Sequence, residues 1–147
     1  MDRKLKLAWA AGFFDGEGFV GTSKRTSKRG DKVYESLYIR IGINHVAPEP
    51  LEEMIILFGG NLKKQALDKV VGNRKQRHQW KITTDKAVIA LREMLPYMKN
   101  KQYVASLAID FQDTMECART RWGKVPVDIL KKRQEIREEI IRVNSLT

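Results

Sequence analysis

Apolar and polar residues recur with two different periods along this chain. Within residues 33–44, apolar residues occupy every second position from Leu37 to Ile43, which predicts a strand with one buried face. These positions are Leu37, Ile39, Ile41 and Ile43. Farther along, the apolar spacing changes to three and four, which predicts helices. One such stripe follows Lys101 and comprises Val104, Leu107, Ala108, Phe111 and Met115. A second comprises Ile129, Ile136, Ile140 and Val143.

Glycine, proline and capping residues mark the ends of the other predicted elements. They predict helices over residues 5–17, 48–58 and 84–95, a hairpin with strands 19–26 and 33–44, a second hairpin with strands 61–67 and 76–83, and a loop at 122–126. The order is αββαββα with C-terminal helices added. We therefore expect an α+β fold in one domain over residues 1–147. Its four-stranded antiparallel sheet would carry helices on one face and leave a basic, polar face open.

The net charge of +10 is concentrated in the two predicted hairpins. Residues 22–40 contain six Lys or Arg and two Asp or Glu, and residues 61–81 contain seven and one. These windows account for the whole net charge, and the rest of the chain is balanced. Solvated hairpins without a partner are one explanation. Concentration on two hairpins instead favours a surface for a polyanion, and an antiparallel ribbon can enter the major groove of DNA.

Composition limits where this protein can work. The longest apolar run, residues 7–14, is too short to span a bilayer, so we expect no membrane partner. The chain start resembles a signal peptide weakly, because two acidic residues follow the short apolar stretch at once. A single cysteine, Cys117, allows no internal disulfide and fits a reducing compartment. We expect an intracellular protein of the cytoplasm or an organelle matrix that is not secreted.

Small residues form a stripe on the first predicted helix. Ala8, Gly12 and Gly16 stand four residues apart and share one face. Each glycine costs about 1 kcal/mol of helix stability relative to alanine, so two of them need a compensating contact. Close packing within one domain is one such contact. The other is packing of this helix on its own copy across a two-fold axis.

Glu17 follows directly on the predicted end of this helix. The helix dipole disfavours a carboxylate there unless a cation is present. Free carbonyl groups at a helix end, such as that of Gly16, add oxygen ligands, and an all-oxygen set suits Mg²⁺ better than Zn²⁺. Two copies of the helix would bring two such carboxylates together, as in two-metal phosphodiesterases. An ordinary polar turn is the alternative explanation for an isolated Asp-Gly-Glu-Gly.

The segment of residues 10–18, Ala-Ala-Gly-Phe-Phe-Asp-Gly-Glu-Gly, resembles the signature of the LAGLIDADG homing endonucleases. Residues 95–102, Leu-Pro-Tyr-Met-Lys-Asn-Lys-Gln, are similar to a second segment of that family, which opens a late helix. The αββαββα order matches as well. The resemblance covers residues 5–115 and leaves residues 116–147 as a C-terminal helical extension.

The resemblance implies a function as well as a fold. Single-motif members are homodimers that bind long, nearly palindromic double-stranded DNA sites, each subunit laying its sheet along one half-site. They make a staggered, metal-dependent cut at the centre. The expected cofactor is Mg²⁺ or another divalent cation such as Mn²⁺. Members are often encoded in introns and some assist splicing, so intron RNA is a possible further partner.

Residue roles follow from the same resemblance. Glu17 matches the metal-binding acid, although most members have Asp there, and Gly16 matches the position whose carbonyl assists. Lys101 matches the basic residue near the scissile phosphate, and His45 lies near the position of a polar water-positioning residue. Asp15 matches the first acid, with a structural role at the helix end. The expected subunit interface consists of Ala8, Ala11, Gly12 and Asp15.

The expected DNA-binding residues combine alternation along the strands with the resemblance. Candidate base-reading positions are Ser23, Arg25, Ser27, Tyr38, Arg40, Lys63, Gln65, Arg77, Gln79 and Lys81. Arginine and lysine can read guanine, and glutamine can read adenine. Phosphate contacts, which position without specifying sequence, are expected from Lys24, Lys28, Arg29, Lys64, Arg74 and Lys75.

Two further functions fit the same fold. One is an intron-RNA-binding maturase that no longer cuts DNA, and the other is a DNA-binding regulator. Because both Glu17 and Lys101 are present, the sequence favours a nuclease. A generic basic αβ enzyme has no better-defined acid–base group of residues to support it.

Overall fold

A computed structural model describes residues 2–65, 76–117 and 125–146. The expected turn at 68–75, the end of the third strand at residues 66 and 67, and most of the loop at 122–126 lie outside the described residues, as do Arg74, Lys75 and the side chain of Met115.

The described elements follow the predicted order. They are α1 (Arg3–Glu17), β1 (Gly18–Arg29), β2 (Lys32–His45), α2 (Glu49–Phe58), β3 (Asn61–Lys64), β4 (His78–Thr83), α3 (Thr84–Met94), a 3₁₀ turn (Leu95–Tyr97), α4 (Gln102–Cys117) and α5 (Val127–Ser145). The first hairpin is longer than predicted, because Lys28 and Arg29 pair with Val33 and Lys32 across a two-residue turn. Gly30 in that turn has φ +64°, a conformation that favours glycine.

All four strands form one antiparallel sheet with the order β1-β2-β4-β3. Val20 opposes Ile41, which opposes Ile82, and Ile43 opposes Trp80. All of these side chains are buried, so the sheet turns one apolar face toward the helices. The α+β fold class predicted from the sequence is confirmed.

The core lies between this sheet face and α1, α3 and α4. Its largest fully buried side chains include Trp80, Phe14, Phe111, Leu91 and Met94. The indole Nε1 of Trp80 donates a 2.8 Å hydrogen bond to the carbonyl oxygen of Gly59, so its polar group is satisfied in the interior. The apolar faces predicted for strand β2 and helix α4 thus meet in one core.

The C-terminal helix α5 joins this core through Ile136 and Ile140. Arg133 is also buried; it donates a 3.0 Å hydrogen bond to the carbonyl oxygen of Leu37, and its guanidinium lies 5.0 Å from the centre of the Phe111 ring. Desolvation lowers the pKa of Arg133. Asn144 donates a 2.8 Å hydrogen bond to the carbonyl oxygen of Val20. Helix α5 therefore contacts both strands of the β1–β2 hairpin.

Across the described residues, none of the helices is long and apolar enough to cross a membrane.

Candidate nucleic-acid interface and metal site

Helix α1 runs into strand β1 without an intervening loop. The helix ends at Glu17, and the backbone N–H of Gly18 donates to the carbonyl oxygen of Phe14. A Cβ atom at Gly18 would lie 2.6 Å from that oxygen and would also overlap the Phe14 ring. Only glycine fits this position, so its presence in the motif has a steric cause. The junction fixes Glu17 at the edge of the sheet.

The carboxylate of Asp15 holds the segment that precedes α4. It accepts hydrogen bonds from the backbone N–H groups of Lys99 (2.9 Å), Asn100 (2.8 and 3.0 Å) and Lys101 (2.7 Å). Partial burial acts to raise the pKa of Asp15, but these hydrogen bonds and the charge of Lys101 together lower it. The two segments that carry the family resemblance thus meet through Asp15. We expected Asp15 at the subunit interface, whereas its carboxylate is committed to its own chain.

The hydrogen bond between the Lys101 backbone N–H and the Asp15 carboxylate places Lys101 at the end of α1. Its Nζ donates a 2.7 Å hydrogen bond to the carbonyl oxygen of Asp15, two residues before Glu17. The ammonium group thereby satisfies one of the helix-end carbonyl groups and adds positive charge near the exposed acid. A basic residue and a free carboxylate therefore occupy the same helix end, although 84 residues separate them in sequence.

Glu17 and Gly16 are both exposed at this helix end. Glu17 makes no ion pair or hydrogen bond with the described residues, and the Gly16 carbonyl lies in the last turn, where intrahelical partners run out. Oxygen donors of this kind fit Mg²⁺ or Mn²⁺. Within the described part of one chain, no group of three or more His, Cys, Asp or Glu could hold a metal ion. A metal bound here would take its remaining ligands from a second copy, nucleic-acid phosphate or water.

His45 stands at the end of β2, beside α1. Its Nδ1 accepts a 3.1 Å hydrogen bond from the backbone N–H of Ala47, and its ring packs edge-on against Phe13 at 5.4 Å. Nδ1 also lies 3.2 Å from the carbonyl oxygen of Ala47, so both contacts of this nitrogen are with Ala47, and Nε2 has no hydrogen-bond partner among the described residues. The imidazole is oriented, with one nitrogen still available for a ligand.

The small-residue stripe of α1 faces outward. Gly12 and Gly16 are exposed, and a Cβ atom added at either would meet nothing within 4 Å. Close packing within the described chain therefore does not explain these glycines. Ala8 is half-buried on the same face. Ala11 was expected at the interface but is fully buried in the core of its own chain, because it is turned about 100° from Gly12 around the helix axis, toward the core.

Two apolar side chains beside this stripe escaped the sequence analysis. Leu5 is 61% exposed and Trp9 is 43% exposed, one turn apart on α1. Trp9 contacts Phe13 with their ring centres 5.5 Å apart. Spacing alone could have revealed them, since residues 5, 9 and 13 form a second apolar stripe. An exposed helix face with small residues flanked by large apolar ones is typical of an interface.

The open face of the sheet carries the side chains that alternate with the core. Strand register places ten of the predicted DNA-binding residues there: Ser23, Arg25, Ser27, Arg29, Tyr38, Arg40, Lys63, Gln79 and Lys81 in the strands, with Gln65 following directly on β3. Arg77 lies opposite Gln65, and the backbone N–H of Gln65 donates a hydrogen bond to the carbonyl oxygen of Arg77. Lys24, Lys28 and Lys64 alternate with this set and point to the helix side.

Aromatic rings organise part of the open face. The Arg25 guanidinium lies 5.0 Å from the centre of the Tyr38 ring, and that of Arg40 lies 5.4 Å from the Phe19 ring. Phe19 lies over Gly42, where a Cβ atom would come within 2.7 Å of the ring. These contacts restrain two long cationic side chains, which lowers the entropy they would lose on binding.

Several residues of the open face were missed in the sequence analysis. They are Phe19, Lys32, Tyr34, Asn44 and Asn61. Alternation could have found most of them, because each stands an even number of positions from a predicted reader on its own strand. Of these residues, only Lys32 lay outside the predicted strands, because β2 begins one residue earlier than expected.

Fold and site together define a class: an αββαββα protein with a basic, polar sheet face, and with an exposed carboxylate and a lysine at the end of a helix whose small-residue face is exposed. Comparison with known protein families gives no match, and no curated protein sequence matches. Solved structures do match. The archaeal intron-encoded homing endonuclease I-Vdi141I, complexed with DNA, has a TM-score of 0.71 and 16% identity over 96% of this chain and 85% of that chain.

Two further structures extend this likeness. The homing endonuclease I-CvuI, in complex with its target in the presence of 2 mM Ca, has a TM-score of 0.67 and 17% identity over 93% of this chain and 80% of that chain. The LAGLIDADG homing endonuclease I-GzeII, in complex with a DNA target, has a TM-score of 0.61 and 17% identity, covering 89% of this chain but 43% of that chain. This chain has the fold of the LAGLIDADG homing endonucleases.

Proposed function

We propose that this protein is a site-specific homing endonuclease that cuts double-stranded DNA as a symmetric homodimer. The observation that carries the proposal is that the exposed Glu17 and the Lys101 ammonium group, which bonds the Asp15 carbonyl oxygen, lie at the same end of α1, next to the open basic sheet. Neither residue is needed for the core, since Glu17 is exposed and Lys101 bonds only to the helix end it approaches. The DNA complexes of the structural neighbours support the same substrate class.

The exposed face of α1 supports the homodimer. Packing the Ala8, Gly12 and Gly16 stripe on its copy would cover Leu5 and Trp9 and bring two Glu17 carboxylates together. Such a shared centre would complete the ligand set that one chain lacks. Two sheets related by a two-fold axis would then cover the two halves of a long pseudo-palindromic site.

Each residue near the helix end has a task in this proposal. Glu17 and the Gly16 carbonyl would hold Mg²⁺ or Mn²⁺, which activates water and stabilises the leaving oxygen when bound. The Lys101 ammonium would lie against the scissile phosphate and stabilise its developing charge. His45 would position the attacking water through Nε2. The result is a staggered double-strand cut in genomic DNA of the cytoplasm or an organelle matrix.

Cleavage of a duplex library tests the proposal. The library would include the uninterrupted form of the gene that surrounds this reading frame, and reactions would contain Mg²⁺, Mn²⁺ or EDTA. We expect paired cuts in the presence of either metal. Glu17→Gln should abolish cutting but keep specific binding, whereas Glu52→Gln, an exposed glutamate on α2, should cut like the wild type.

Two other results would replace the proposal. Sequence-specific duplex binding with no cut product in any metal would indicate a DNA-binding regulator. Preference for the intron RNA over every duplex would indicate a maturase.

A further inference from the structure

Two amide side chains are paired on the open face. Asn44 on β2 and Gln79 on β4 stand directly opposite each other in the strand register, between Ile43 and Trp80 neighbours that face the core. The Nε2 group of Gln79 donates a 2.9 Å hydrogen bond to Oδ1 of Asn44. Both side chains are half-buried. The pair is part of the sheet surface rather than of a mobile tip.

This hydrogen bond fixes what Gln79 offers to a ligand. A glutamine amide has two N–H donors and one carbonyl oxygen. Asn44 takes one N–H, so one donor and the Oε1 acceptor are left. A free glutamine amide can rotate by half a turn and exchange the positions of its donor and acceptor, but rotation here would break the contact with Asn44. The donor and acceptor therefore keep one order along the surface while Asn44 presents Oδ1 to Gln79.

The backbone of Asn44 is held in place. It lies inside the β2–β4 ladder, and a terminal nitrogen of Arg77 donates a 3.3 Å hydrogen bond to the backbone carbonyl oxygen of Asn44. Lys63 opposes Gln79 from the other side, on β3, and contributes a positive charge to the same row. The row therefore consists of an anchored amide, an oriented amide and a cation.

A single donor beside a single acceptor matches one base edge in the major groove. Adenine offers the N7 acceptor and the N6 amino donor, and a glutamine amide pairs with both. We propose that Asn44 is a positioning residue that orients Gln79 to read adenine at one position of each half-site. This inference rests on the proposed DNA-binding function and extends it to a residue that does not itself need to touch the base.

The variant series separates orientation from simple contact. Gln79→Ala removes the reader, and Asn44→Ala removes the acceptor that orients it. Asn44→Asp keeps an acceptor at the same place and is the conservative rescue. Lys63→Ala is the matched control, because it removes a neighbour of Gln79 that does not bond to the amide.

The measurement is selection of bound duplexes from a library randomised symmetrically in both half-sites, in Ca²⁺. The wild type should prefer adenine at one position per half-site by about 5-fold to 150-fold, the range for a bidentate base contact. Gln79→Ala should lose this preference. Asn44→Ala should lower it at least about 3-fold at the same position and leave other positions unchanged. Asn44→Asp should restore it, with lower total affinity because a negative charge faces DNA. Lys63→Ala should weaken binding and keep the adenine preference.

Distinct results would overturn the inference. An Asn44→Ala protein with the wild-type adenine preference, a Gln79→Ala protein with no changed position, or a wild type that prefers another base at the Gln79 position would each refute it. Thermal melting of every variant would establish that the proteins are folded. A wild type that selects no sequence at all would instead defeat the proposed function, so the two failures are distinguishable.

Discussion

Replacing Asp15 tests how far the candidate site depends on one carboxylate. Its two oxygens accept four contacts from three consecutive backbone N–H groups, and the third of these belongs to Lys101. Asp15→Ala removes every acceptor and leaves the N–H groups at the start of α4 to water. Asp15→Asn keeps one oxygen but turns an amino group toward at least one of the N–H donors.

The size of the effect follows from the kind of bond that is lost. A helix-capping acceptor contributes about 0.5–2 kcal/mol, and hydrogen bonds to a charged group contribute about 1.5–3 kcal/mol. Because the Asp15 side chain is partly exposed, the lower end applies. We expect Asp15→Ala to lower the free energy of unfolding by about 2 kcal/mol, a fall of about 4–8 °C in Tm, and Asp15→Asn by about 1 kcal/mol.

The pH dependence provides an independent check. The folded-state pKa of Asp15 lies below its ordinary value, so its stabilisation is complete above that value and is lost as the pH falls through the lowered pKa. The stability difference between wild type and Asp15→Asn should be constant from pH 7 to pH 5. It should shrink below about pH 4, where the unfolded carboxyl begins to take up a proton.

Urea unfolding followed by circular dichroism at several pH values measures both quantities. Asp113→Asn is the matched control, because Asp113 is paired with Arg92 at the surface (48% of its side chain exposed) and should change stability by less than about 0.5 kcal/mol. An Asp15→Ala protein as stable as the control would show that the contacts of the Asp15 carboxylate contribute nothing to the free energy of unfolding. A stability gap that persists unchanged at pH 2 would refute the assignment of the effect to the ionised carboxylate.

Three further predictions concern other parts of the molecule. Gly12→Val should dissociate the proposed dimer in sedimentation experiments and leave the chain folded by circular dichroism, since its Cβ meets nothing within 4 Å in its own chain; a variant that remains dimeric would place the interface elsewhere. Lys101→Met should slow single-turnover cleavage about 100-fold with DNA affinity nearly unchanged, and unchanged cleavage would remove Lys101 from the mechanism. Arg133→Ala should cost about 2 kcal/mol in urea unfolding, because the Leu37 carbonyl loses its charged donor, whereas exposed Lys131→Ala should cost less than about 0.5 kcal/mol.

Apolar periodicity, together with the glycine and proline residues that end helices and strands, was sufficient to predict the fold class and the order of elements. The alternation from Leu37 to Ile43 reflects a sheet with one buried face, and glycine and proline mark real ends because they restrict or free the backbone locally. Strand ends were less predictable: Lys28, Arg29 and Lys32 are polar on both sides of the pleat, so no hydrophobic period signals that pairing continues to the turn.

The candidate site was predictable in part. Glu17 and Lys101 could be recognised from local motifs, but their meeting depends on Asp15 reaching 84 residues along the chain to bond Lys99, which no local pattern encodes. Ala11 was assigned to the wrong side because small size suits both a helix interface and a core. Asn44 was missed because its role depends on the residue opposite it, and strand register is a tertiary property.

Because α1 passes directly into β1, the distance from the helix end to each residue on the open face is fixed by the backbone. Glu17 ends the helix, and Phe19, two residues later, is already part of the open face. The twelve residues of β1 extend roughly 40 Å at about 3.4 Å per residue, close to one turn of duplex DNA. In the proposed complex, the offset between the cut bonds and the base pairs that are read is therefore set by the backbone. Substitutions on the sheet can change which sequence is chosen, but the cut should stay in register with the helix end.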